Sequence, residues 1–160
     1  MDIIWAPWRI KYILGCKDKK DNTCFLCEKP KSKNDEENYI LYRGEKAFIV
    51  MNAYPYNNGH LLIAPYRHVY SIEELTDEEL LEVFKLVQKS VAVIKKVMNP
   101  DGFNIGINIG RSAGAGVSHF HVHVVPRWTG DTNFMPVLSS TKVIPEMLSE
   151  TYKRLKPHFT

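Results

Sequence analysis

Apolar and polar positions along this chain follow two periods, and the change between them marks its elements. From Tyr39 to Met51, two β-rich runs, Tyr39-Ile-Leu-Tyr42 and Ala47-Phe-Ile-Val-Met51, flank the turn-forming Arg43-Gly44-Glu45-Lys46, which predicts a hairpin. Asn57-Asn58-Gly59 reads as a turn, and His60-Leu-Leu-Ile-Ala64 after it as a buried strand stopped by Pro65. The period then changes. Thr76-Asp77-Glu78-Glu79 combines an N-cap, acidic residues for a first turn and a capping-box glutamate. Behind it Leu80, Phe84, Val87, Val91, Ile94 and Met98 recur in alternating steps of four and three. They form one apolar stripe opposite Glu82, Lys85, Lys89 and Lys96, which predicts a long helix closed by Asn99-Pro100-Asp101-Gly102. Phe103 to Ile109 and Ser118 to Val125 read as two further strands, joined by the glycine-rich Gly110-Arg-Ser-Ala-Gly-Ala-Gly116. A last helix is predicted from about Pro145 to Leu155.

The remaining segments are less regular. Residues 3–14 mix large apolar and basic side chains and predict a short helix or a packed arm, since Pro7 suits a first helical turn. The charged stretches at 17–22 and 31–38 read as surface loops, and they bracket a pair of cysteines. No repeat or low-complexity tract interrupts the pattern. Strands at hairpin spacing with one long helix inserted among them do not alternate as βαβ units do. The expected class is α+β: a mainly antiparallel sheet, the inserted helix and a C-terminal helix. The 160 residues suit one domain, with an arm at 1–21, a core at 22–130 and an extension at 131–160.

Composition narrows the function. With 44% of residues hydrophobic, a core forms without disulfides, yet no apolar run reaches the ~18 residues that cross a bilayer. Met1 to Arg9 lacks the order of a secretory signal, so a soluble cytoplasmic protein is expected. Lys and Arg number 21 against 18 Asp and Glu; this +3 excess is scattered, which favours an anionic small molecule and argues against nucleic acid or membrane as partner. Of three cysteines, Cys24 and Cys27 stand as Cys-x-x-Cys, a spacing for metal or redox chemistry, and Cys16 has no assigned role.

The sharpest feature is His119-Phe-His121-Val-His123. Alternation along a strand puts the three histidines on one face and Phe120, Val122 and Val124 in the core. The row reads as a polar surface, as a metal site, or as a nucleophile. Histidines two apart can share a Zn²⁺, although residues 102–130 contain no Asp or Glu to make a carboxylate-rich centre. A neutral imidazole can also attack phosphorus and split one displacement into two. Backbone amides of the Gly110–Gly116 loop would cradle a phosphate, but the loop lacks the Lys-Ser/Thr of a P-loop and leads to a strand.

With these features in order, the sequence resembles the histidine-triad superfamily of nucleotidyl hydrolases and transferases. Its motif, His-φ-His-φ-His-φ-φ with φ apolar, is met by His119-Phe-His121-Val-His123-Val-Val125. Asn52-Ala-Tyr-Pro-Tyr-Asn-Asn-Gly59-His60-Leu-Leu-Ile-Ala-Pro65-Tyr-Arg-His68 is similar to the family's strand leading through Gly-His to Pro-x-x-His. The ends, Trp5-Ala-Pro-Trp8-Arg with Pro126-Arg-Trp128 and Gly130-Asp-Thr-Asn-Phe134, look most like the branch of diadenosine tetraphosphate phosphorylases.

The resemblance implies cleavage of an adenine nucleotide or dinucleoside polyphosphate at the α-phosphate through a covalent nucleotidyl-histidine. His121 would be the nucleophile and His123 a hydrogen-bond partner of the phosphate or leaving group. Asn108 would meet the phosphate, Asn52 the ribose, and the backbone of Ala115, Gly116 and Val117 would line the phosphate. Taken alone, both asparagines read as turn or strand-end caps. Common members carry Gln and Ser or Thr where this chain has Ala115 and Gly116, so side-chain donors are missing there. The resemblance also implies a structural zinc on Cys24, Cys27, His68 and His119, and a homodimer formed through the long helix and an extended sheet. The rival readings are a nucleoside phosphoramidate hydrolase and a nucleotide-binding regulatory module without turnover.

Overall fold

In the computed structural model, residues 24–133 and 143–160 are described; the expected N-terminal arm, Cys16 and Phe134 lie outside them. The chain forms α1 (Phe25–Glu28), α2 (Asp35–Asn38), β1 (Ile40–Arg43), β2 (Ala47–Met51), β3 (Leu61–Pro65), α3 (Asp77–Met98), β4 (Gly102–Ile107), β5 (Val122–Arg127) and α4 (Leu148–Leu155). Five strands make one sheet in the order β1-β2-β3-β5-β4, and every pairing is antiparallel. The α+β expectation therefore holds, with the long helix inserted between β3 and β4. Among the described residues no helix is long and apolar enough to cross a membrane.

Both sheet faces are covered, for different purposes. Ala47, Ile49, Met51, Leu61, Ile63, Val122 and Val124 pack under α3 together with Tyr152 and Leu155 of α4. On the other face Ile40, Phe48, Val50, Leu62 and Ala64 close on Leu26 of α1, which brings the cysteine segment down onto the sheet. Arg43 holds the intervening loop by donating to Asp35 and to the carbonyls of Pro30 and Ser32.

Several boundaries differ from those the sequence predicts. The stretch at 31–38 contains the helical turn α2, because Asn34 caps it by accepting from the Glu37 amide and acidic residues fill its first turn. β4 ends at Ile107, not Ile109, and β5 begins at Val122, not Ser118. The ladder starts only at Val122, and Val122, His123 and Val124 have partners on both sides, in β3 and in β4. The last helix begins at Leu148.

The capping box of α3 is present, with Thr76 and Glu79 each satisfying the other's backbone. Its buried face is rotated from the predicted stripe: Val83, Leu86, Val87, Ser90, Val93 and Ile94 are buried, whereas Phe84 is 41% exposed. Two apolar stripes overlap at Val87 and Ile94. The one carrying Glu79 and Ser90 is buried because each polar group is satisfied locally: Arg67 forks onto Glu79, and the Ser90 hydroxyl donates to the Leu86 carbonyl.

Candidate active site and metal centre

Strand pairing assembles the histidines. β5 lies between β3 and β4, with His123 opposite Leu62 on one side and Gly106 on the other. Gly106 leaves the face beside His123 open, since a Cβ there would meet nothing within 4 Å. His60 enters from the turn before β3. Gly59 precedes it at φ +74°, a left-handed backbone conformation that favours glycine. Phe120, Val122 and Val124 point into the core under α3, as alternation requires, while His119, His121 and His123 are buried on the opposite face.

Hydrogen bonds then assign each ring its tautomer, because an amide must donate and a carbonyl must accept. The Tyr56 amide donates to His60 Nδ1 at 3.1 Å, and the Asn52 amide nitrogen lies 3.3 Å from the same atom. His60 therefore carries its proton on Nε2 and donates it to His123 Nδ1 at 2.9 Å. A neutral His123 must in turn bear N–H at Nε2. His121 Nδ1–H donates to the His119 carbonyl at 2.7 Å, which leaves a lone pair on His121 Nε2. The two rings stand side by side with centroids 4.7 Å apart. One presents an acceptor and the other a donor.

Burial keeps the set uncharged. Desolvation first, and the neighbouring histidines second, lower the His60 pKa to about 3 and that of His123 to about 4. His121 is lowered too, by burial, with its bond to the His119 carbonyl opposing. At neutral pH every ring of the group is a neutral imidazole, the form that can attack an electrophile.

His119 faces the other way. Its Nε2–H donates to the Pro65 carbonyl at 3.0 Å, which turns the Nδ1 lone pair toward Cys27 Sγ at 3.3 Å and Cys24 Sγ at 3.4 Å. His68 Nδ1 lies 3.1 Å from Cys27 Sγ. The four ligand atoms all fall within 4.8 Å of one another. Tetrahedral bonds of about 2.0–2.3 Å put ligand atoms ~3.3–3.8 Å apart, so this cluster is close to a closed Cys₂His₂ centre. The Pro65 carbonyl supplies the outer bond that such a centre uses to orient an imidazole. Burial, then the hydrogen bond and charge of Cys24, push the Cys27 thiol up to about 11, so its thiolate calls for a nearby cation.

The glycine loop and the asparagines complete the surroundings. Within the loop, amides of Ala113 and Ala115 donate to the Gly110 carbonyl and that of Gly114 to Arg111. A cavity of about 210 Å³ between the loop and the segment after β3 is lined by Asn108, Arg111, Val117, Ser118 and His119 among others; of the triad only His119 lines it, and His121 and His123 do not. Asn108 thus borders open space, whereas the Asn52 side chain accepts from the Tyr54 amide at 2.9 Å, the turn-capping role. Sequence reasoning assigned no part to His60 or Tyr56. The signal for His60 was the Gly-His dipeptide opening a strand; Tyr56 stacks on His123 with centroids 5.6 Å apart, a contact no local pattern predicts.

The pattern of the HIT domain matches residues 33–130. A protein of Mycobacterium tuberculosis (strain CDC 1551 / Oshkosh) named AP-4-A phosphorylase is 43% identical over 158 residues, 95% of this chain and 81% of that protein. The asymmetrical bis(5'-nucleosyl)-tetraphosphatase of Schizosaccharomyces pombe is 39% identical over 92 residues, 58% of this chain and 50% of that protein. Among solved structures, a hypothetical histidine triad nucleotide-binding protein from Sulfolobus tokodaii strain 7 superposes with a TM-score of 0.68 at 32% identity. It covers 84% of this chain and 88% of its own.

Proposed function

The chain belongs to the HIT domain family, and from that premise we propose that it is a nucleotidyl hydrolase or transferase cleaving dinucleoside polyphosphates of the diadenosine tetraphosphate type. The observation that carries this reading is the paired tautomers: a lone pair on His121 Nε2 beside an N–H on His123 Nε2, both on neutral rings.

Each half of the reaction follows from that pair. His121 Nε2 attacks the α-phosphorus, the N–P bond forms, and the bond to the bridging oxygen breaks on the far side. From diadenosine tetraphosphate the departing group is ATP, a polyphosphate anion that leaves without a proton. The positive charge that develops on His121 is shared with the His119 carbonyl through Nδ1–H. His123 Nε2–H donates to the phosphate or the bridging oxygen and cannot rotate away, because His60 holds its Nδ1. Asn108 and the amides of Gly116 and Val117 serve the same phosphate, and Asn52 stands toward the ribose. In the second half inorganic phosphate or water displaces the imidazole, giving ADP or AMP. The phosphorylase relative supports the phosphate route.

Cys24, Cys27, His68 and His119 hold a zinc ion, a proposal supported by the soft Cys₂His₂ donor set and its spacing. With four protein ligands the ion supplies structure: it clamps α1 and the segment after Pro65 to the start of the histidine row. A homodimer is proposed through β4, an edge strand on which Ile105 stays 48% exposed, and through Leu81 and Phe84 of α3. The cytoplasm suits two cysteines held as metal thiolates.

His121→Ala tests the mechanism. It should abolish turnover of diadenosine tetraphosphate while nucleotide affinity, read by calorimetry, stays within severalfold. Product analysis with and without phosphate assigns the resolving nucleophile, because only phosphorolysis yields ATP plus ADP. Near-wild-type turnover in His121→Ala would overturn the proposal, and absence of turnover in the wild type would leave a binding module.

A further inference from the structure

Five arginines lie among the described residues, and four are tied to a carboxylate: Arg43 to Asp35, Arg67 to Glu79, Arg127 to Asp131 and Arg154 to Glu146. The exception is Arg111. Among the described residues its side chain has no hydrogen-bond or ion-pair partner, and it stands exposed in the glycine-rich loop. A surface arginine without a partner is common, but the surroundings of this one are not. It borders the 210 Å³ cavity together with Asn108 and Val117, both assigned above to the phosphate. No Asp or Glu occurs between residues 102 and 130, so no carboxylate of the loop itself or of β4 and β5 competes for its charge.

The loop also needs a donor there. Its amides at Ala113, Gly114 and Ala115 are spent on the loop's own carbonyls, and Ala115 and Gly116 carry no polar side chain. The amides of Gly116 and Val117 suffice for one phosphate group. For the next phosphate of a polyphosphate chain the cavity offers the neutral Ser118 hydroxyl and, as its one guanidinium, Arg111, whose fork is shaped to hold such a group.

We propose that Arg111 is a specificity-determining residue that grips the phosphate group adjoining the reacting α-phosphorus. The proposal rests on the nucleotidyl transfer described above. In that reaction two different species pass through the same position. The polyphosphate departs on the side opposite His121 Nε2, and the nucleophile that resolves the intermediate must enter from that same side. A group that holds the departing β-phosphate therefore also holds incoming inorganic phosphate. When phosphate enters, one of its oxygens bonds to the α-phosphorus as the N–P bond breaks, which releases ADP and restores neutral His121. When water enters, the products are AMP and a proton. Arg111 favours phosphate over water at this branch.

The test compares wild type with Arg111→Ala and Arg111→Lys; no described contact of the side chain is lost in either. In calorimetry, Arg111→Ala should bind adenosine 5′-tetraphosphate about 10- to 100-fold more weakly, the worth of one charge-assisted fork, with AMP affinity unchanged. Arg111→Lys should recover part of the loss. During turnover of diadenosine tetraphosphate, the ADP-to-AMP ratio at fixed inorganic phosphate should fall in Arg111→Ala by a similar factor. A loss of tetraphosphate affinity with the ratio unchanged supports a grip on the departing chain alone; a fall in the ratio alone supports a grip on free phosphate. Equal loss for AMP and adenosine tetraphosphate, or no change in either measurement, overturns the proposal. The affinity measurement needs no turnover, so it reads out even if the covalent mechanism fails, and wild-type turnover reports on that mechanism separately.

Discussion

Removing the donor behind His123 isolates what the fourth histidine does. In His60→Leu the buried Nδ1 of His123 loses its 2.9 Å partner while the volume beside it stays filled. The ring then has two options. It can keep N–H on Nε2 with Nδ1 unsatisfied, or move the proton to Nδ1 and present a lone pair to the phosphate. The first option lowers stability; the second lowers the rate, because regaining Nε2–H in the transition state costs up to one buried unsatisfied acceptor, about 1–3 kcal/mol. At 1.36 kcal/mol per decade this predicts a fall in kcat/KM of about 5- to 150-fold. His60→Gln should recover at least a tenth of the wild-type rate, because its amide can accept from Tyr56 N and donate to His123 as the imidazole does. The assay is steady-state cleavage of diadenosine tetraphosphate at pH 7.5 with thermal unfolding followed in parallel. A His60→Leu enzyme within twofold of wild type in rate and equal to it in stability would refute the tautomer argument. So would a His60→Gln enzyme no better than the leucine variant despite equal stability.

Two more expectations concern the metal and pH. Protein purified without chelators should contain about one zinc per chain, and its removal should lower Tm by on the order of 10 °C while activity at 25 °C changes less than about threefold. Metal analysis showing none, or loss of activity before loss of stability, argues against a structural site. Stability should be greatest above the ordinary histidine range and decline on acidification. His123 and His60 titrate near 4 and 3 when folded, so below about pH 6.5 the unfolded chain binds protons that the folded one refuses. Urea midpoints at pH 7.5, 6 and 5 measure this, and a midpoint that rises on acidification contradicts it.

Local chemistry made much of the molecule legible in the sequence. The hairpin around Gly44, the capping box at Thr76 and Glu79 and the alternation of Phe120, Val122 and Val124 each depend on neighbours a few residues apart; the last two appear as read, and the hairpin appears with Arg43 drawn from the turn into β1 and Tyr39 left outside it. The face of α3 was not legible in that way. Two apolar stripes are available to it; the one with Val83, Leu86 and Val93 packs on the sheet, and Arg67, brought from the segment after β3, satisfies the Glu79 that this face buries. The limits of β5 likewise depend on β3 and β4, whose partners a linear pattern does not contain.

The same division runs through the site. Sequence alone determined that three histidines share a face, and that Cys24 and Cys27 are spaced to hold something. Only the tertiary structure decided what each ring does, because a tautomer is set by whichever atom lies within hydrogen-bond reach. Pro65, 54 residues before His119, turns that ring's lone pair toward the cysteines. His60, 63 residues before His123, gives that one its outward N–H. These assignments belong to pairs that meet across the sheet, and the strand order β3-β5-β4 is what makes them meet.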